Sequence, residues 1–248
     1  MAGAGGIPKD EFLRSVRLAL GRAEAPPDPP YPQLEETLSD LTAQASAVRQ
    51  RLAEGRLAAL DKLARLAELG GWNVYRAPGQ EEAVEYIVSL TTSLGVTRIV
   101  RSDQPVFHDL PVDAALRALG HTVTTVAQGE ARSRESLRQE IAAAGMGITG
   151  VDYAVAETGS AVVLPRKGFS RLVSLVPPVH LALVRPQEVV ETLDDLFLLR
   201  RLEYHQTGGD MGSYLNLITG PSRTADIEQT LVVGVHGPRE VHLVLLEP

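Results

Sequence analysis

After Gly70-Gly71 this chain alternates between two kinds of apolar patterning, and that alternation restricts the fold more than any other feature. Runs rich in β-branched and aromatic residues read as strands at 72–75, 98–101, 122–126, 153–156, 161–164, 180–184, 214–219 and 241–246. Several are separated by helically spaced stretches such as 81–94 and 135–144. Strands joined through helices pair in parallel, and a parallel sheet must be covered on both faces. The expectation is an α/β fold, a three-layer α/β/α arrangement around a largely parallel sheet. Between Ala156 and Ala161 there is room only for a turn, which predicts some antiparallel pairing and so a mixed sheet.

Upstream of the double glycine the pattern is helical. Phe12, Val16 and Leu20 recur at helix spacing behind Pro8, a residue suited to a first turn. A proline-rich stretch at 25–32 excludes helix and central strand and marks a boundary. From 34 to 69 the chain is rich in Ala, Leu, Glu and Arg without proline, which predicts one or two helices stopped at Gly70-Gly71. The expected organisation is an N-terminal helical extension over 1–69 and an α/β domain over 70–248.

With 24 Lys and Arg against 31 Asp and Glu, the net charge of −7 gives no drive towards nucleic acid or anionic lipid. The chain has no cysteine, which removes disulfides, thiolate nucleophiles and cysteine-ligated metal clusters. Its six histidines lack the short spacings of a metal site, so no metal is expected. The first residues lack a signal-peptide pattern, and no apolar run is long enough to span a bilayer, which predicts a cytoplasmic protein.

Two small-residue turns carry the candidate chemistry. In the first, Glu157 follows a strand and would act as base or nucleophile, while Thr158 and Ser160 donate hydrogen bonds and Gly159 admits a substrate to the backbone. An equally natural role for Glu157 is to brace the adjacent loops. In the second, Thr219, Gly220, Ser222, Arg223 and Thr224 have the chemistry of a small-anion site, while Asp226 begins a capping box with Gln229. Arg171 closes a basic loop that could add to that site. His236, bracketed by Gly234 and Gly237, is a candidate proton carrier. Gly145, Gly147 and Gly150 match the dinucleotide fingerprint by letter, but they follow a helical stretch and precede a strand, so a helix stop and turn is expected there.

The stretches 11–20, 150–160, 171–180 with Ser174, Pro177 and Pro178, 219–227 and 234–238 together resemble the lactate-utilisation (LUD) domain family. The resemblance implies a fold like that of sugar-phosphate isomerases, glucosamine-phosphate deaminases and coenzyme A transferases. It also implies a part in oxidising L-lactate to pyruvate beside iron–sulfur subunits. On this reading the chain binds no cofactor of its own, the partners carry the clusters, and the ligand is a small carboxylate or other anion. Glu157 shares its place with the coenzyme A transferase glutamate by fold-level likeness alone. Two alternatives stand beside it: a free-standing isomerase or acyl transferase using Glu157 and His236, and a scaffold or regulator whose partner surface is the N-terminal helices.

Overall fold

The computed structural model describes residues 8–22, 36–127, 133–165, 171–209, 212, 214–225 and 230–247. The proline-rich stretch, the basic loop before Arg171, and Asp226 with its capping box lie outside the described residues. The chain divides into two compact units, Met1–Thr37 and Leu38–Pro248. In the first, helix α1 (Lys9–Ala19) starts at Pro8 and buries no residue, with Phe12, Val16 and Leu20 exposed.

The second unit holds the sheet, and the helices expected in the extension belong to it. These are α2 (Leu38–Glu54) and α3 (Arg56–Gly70). Helix α3 ends as the double glycine predicts. Gly71 takes a left-handed φ of 98°, Trp72 N–H donates to Ala67 C=O and Gly71 N–H to Glu68 C=O, both at 3.0 Å.

Six strands form the main sheet: β1 (Asn73–Ala77), β2 (Arg98–Ser102), β3 (Thr122–Val126), β4 (Met146–Gly150), β7 (Val179–Val184) and β12 (Glu240–Leu246). Their order is β1-β12-β7-β4-β2-β3, and every pair is parallel. The antiparallel pairing expected around 156–161 is present but lies in a second sheet of order β8-β5-β6-β9. Its strands are β5 (Tyr153–Val155), β6 (Ser160–Val163), β8 (Val189–Val190) and β9 (Asn216–Ile218). A two-residue pair, β10 (Arg223–Thr224) with β11 (Val232–Val233), is also antiparallel.

The alternation of side chains along a strand sends Ile99, Met146, Ile148, Leu181, Leu183 and Val244 to one face of the main sheet. There they meet Ile87 of α4 (Gln80–Ser93), Val106 of α5 (Val106–Asp109) and Leu116 of α6 (Val112–Ala118). On the other face Ala182, Val184, Leu243 and Leu245 pack with Leu60 and Leu63 of α3 and with Ala154 and Ala161 of the second sheet. Further along that sheet, Val100 and Val126 meet Ile141 of α7 (Arg134–Ala142) and Val173 of α8 (Leu172–Leu175). The second sheet is closed by α2 and α9 (Leu193–Gln206), where Leu41, Ala45 and Val48 meet Val155, Val162 and Leu196.

One expectation is overturned. Gly145 to Gly150, read as a helix stop and turn, contains β4 (Met146–Gly150), one of the two central strands, buried at every position. A Cβ on Gly147 would fall against the carbonyl oxygen of Val173, and one on Gly150 would lie 3.0 Å from Gln104. The glycines are there because the covering layers come too close for a side chain, and glycine is otherwise a poor strand former. Gly147→Ala should therefore cost about 3 kcal/mol or more of unfolding free energy, the upper range for overpacking, read as a lowered urea midpoint.

Candidate functional site

The structure splits the sequence-marked residues among several local tasks. Glu157 sits in the β5–β6 turn, exposed, and its Oε1 accepts a hydrogen bond from Leu193 N–H at 2.6 Å. Leu193 opens α9, so this carboxylate supplies negative charge at a helix N-terminus beside the Thr192–Asp195 capping box. Thr158 Oγ1 donates to Ser160 Oγ at 2.8 Å, and Ser160 Oγ pairs with Thr219 Oγ1 at 2.8 Å. The two turns are thus joined through three hydroxyls.

Both turns press on the end of α3. Gly159 has φ 64° and lies directly on the backbone of Leu66 and Ala67, and Gly220 is clasped against the carbonyl of Gly70. Arg223 lays its guanidinium over Gly71. Helix α3 has no basic residue in its last turn, so Arg223 brings a cation to its carboxyl end. Ser222 ties the neighbouring loop together: its N–H donates to Pro238 C=O at 2.9 Å and its Oγ accepts from His236 N–H at 3.2 Å. Thr224 is buried in β10. Arg171 stacks on the Tyr214 ring at 4.9 Å.

His236 and Arg239 line a surface cavity of about 410 Å³ with Val176 and Pro178. Gly70-Gly71, Pro178 and Arg239 each precede a strand of the main sheet, and all those strands are parallel. The second turn and His236 therefore lie along the amino edge of the six-stranded sheet. The expectation that these turns follow strands is met only in the second sheet, through β5 and β9.

At the carboxyl edge, a cleft of about 310 Å³ is formed by residues following four strands. Gly79 and Gln80 follow β1, Asp109 follows β2, Arg185 and Gln187 follow β7, and Glu247 follows β12, with Arg56 added from the start of α3. Arg185 is held by Glu188: the backbone N–H donates to Oε2 and Nε to Oε1, both at 2.8 Å. Burial pushes the Glu188 carboxyl above its usual value, and the bonds from Arg185 pull it back. Nη1 of Arg185 lies 3.9 Å from Asp109. Glu247 accepts from Arg76 Nε at 2.7 Å. Sequence reading missed every residue of this cleft, because the carboxyl edge is recognisable only once the six strands are known to be parallel.

Beneath the second covered face, His180 is fully buried, its Nε2 2.9 Å from Thr149 Oγ1 and its ring 6.0 Å from Trp72. Desolvation holds its pKa down at about 3, with His242 lowering it further. Because that pKa lies below the unfolded value of about 6.5, the unfolded chain binds the extra proton between those limits. Stability is expected to fall as pH drops from about 6.5 towards 3, and His180→Gln should flatten that slope relative to the parent in urea melts run across the range. Glu157→Ala should lower stability by about 0.5–1 kcal/mol in the same assay at neutral pH, the scale of a carboxylate at a helix start.

A family model described as the LUD domain matches residues 60–246. Lactate utilization protein B of Shouchella clausii is 27% identical over 235 residues, covering 76% of this chain and 48% of that protein. Lactate utilization protein C of Halalkalibacterium halodurans is 38% identical over 114 residues, covering 46% of this chain and 49% of that protein. The chain thus spans about half the length of these curated relatives. The crystal structure of a DUF162 family protein from Deinococcus radiodurans aligns with 77% of this chain and 98% of its own, at 20% identity and a TM-score of 0.49. Since the family match runs from within α3 to the end of β12 and takes in the whole parallel sheet, the chain belongs to the LUD domain family.

Proposed function

We propose that this chain works in lactate utilisation as a component without a redox centre of its own, binding a small carboxylate or other anion and acting with partner subunits that carry iron–sulfur clusters. The observation that carries the reading is the LUD-domain match over 60–246, in company with relatives named lactate utilization proteins B and C. A chain without cysteine has no thiolate to ligate a cluster, so electrons from lactate would pass through partners. The exposed Phe12, Val16 and Leu20 along α1 offer such partners an apolar contact. Glu157 gives little support to a free-standing transferase, because its carboxylate is engaged at the start of α9.

The test is genetic and biochemical together. In the source organism, deletion of the gene for this chain should abolish L-lactate consumption, and complementation should restore it. The tagged protein from lactate-grown cells should co-purify cysteine-rich partners, with iron and acid-labile sulfide tracking those partners. Unchanged L-lactate consumption in the deletion strain removes the proposal.

A further inference from the structure

In an open parallel sheet, the crevice outside the carboxyl ends of the strands is where ligands gather, since loops there present polar groups on a rigid frame. The cleft bounded by Arg56, Gln80, Asp109, Arg185, Gln187 and Glu247 occupies that place. Its lining carries both charges. Arg56 forms no ion pair with any described residue, whereas Arg185 is held by Glu188 through Nε and Nη2 and has Nη1 3.9 Å from Asp109. The acceptors are carboxylates: Asp109, and Glu247 with one oxygen on Arg76. The start of α4 is already supplied with negative charge, because the Glu82 carboxylate folds onto Gly79. An incoming acid group is thereby directed to Arg56.

Size selects within that chemistry. At about 30 Å³ per non-hydrogen atom, the share of a separate water molecule in the liquid and so an upper bound for bonded atoms, the six such atoms of lactate fill at most roughly 180 Å³. The cleft measures about 310 Å³. Past Gln80, Asp109 and Leu110 it adjoins a second cavity of about 610 Å³, lined further by Glu81, Glu85, Phe107 and His108. A ligand longer than lactate would place hydroxyl groups against these acceptors.

We propose that the carboxyl-edge cleft binds a hydroxylated acid larger than lactate, its carboxylate or phosphate on Arg56 and its hydroxyls on Asp109. This deepens the anion-binding part of the proposed function and rests on that part, without depending on the role in lactate utilisation.

Calorimetric titration of the full chain with D-gluconate, phosphoglycerate, L-lactate and inorganic phosphate tests it. Gluconate or phosphoglycerate should bind, and the tighter of the two identifies the acid group. Arg56→Glu should weaken that binding at least tenfold while the melting temperature holds or rises, because a carboxylate at the first turn of α3 suits the helix dipole. Asp109→Ala should weaken gluconate more than inorganic phosphate. L-lactate binding as tightly as gluconate, with the same loss in Arg56→Glu, overturns the size argument and leaves the lactate reading in place. Inorganic phosphate binding as tightly as either larger acid overturns the hydroxyl recognition. Failure of all four probes, or binding indifferent to Arg56→Glu, overturns the site, whatever the deletion strain does with lactate.

Discussion

A parallel sheet has no face to spare for water, and the rest of this molecule follows from having to cover one twice. One face takes α4, α5 and α6 in the ordinary way, as crossovers between strands. The other is closed by α3, α7 and α8 together with a second sheet, which itself needs α2 and α9 on its far side. Covering layers this close leave no room for side chains at certain points, and glycine supplies the clearance: Gly147 under α8, Gly159 on α3, and Gly70 against Gly220.

That arrangement also explains what could be read from the sequence. The patterns at 98–102, 122–126 and 179–184 are apolar and β-branched, and those strands stand within a residue of where they were expected. The helices before Gly70 were equally legible, since their period and glycine stop are local signals. Strand β4 was not. Gly147 is chosen by a contact with α8 more than twenty residues further along and Gly150 by one with Gln104 and Val106 more than forty residues back, and no local pattern records either. The separation into two sheets was hidden for a similar reason: β5 and β6 are as apolar as the main strands, and only pairing assigns them elsewhere.

The candidate site divides along the same line. Turns dense in Gly, Ser, Thr and Arg stand out in a sequence whether they bind a ligand or lock a fold. Here Gly159, Gly220 and Arg223 are occupied with the end of α3, and Ser160 and Thr219 with each other. The carboxyl-edge residues come from ordinary-looking positions such as Gln80, Asp109 and Arg185, which gain meaning from the edge they share. Local chemistry identifies turns; topology decides which of them face a crevice.

The position of β12 has a consequence for how the molecule is made. It lies between β1 and β7, paired in parallel with both, so the first and last strands of the main sheet are neighbours. During synthesis β1 finds no strand to pair with until β12 has followed it out. Sheet closure is thereby tied to a contact of very long sequence separation, the kind that folds slowly. Until it closes, α3 and α4 must shield an unpaired edge, and the nascent chain depends on helices to protect a strand whose partner has yet to be translated.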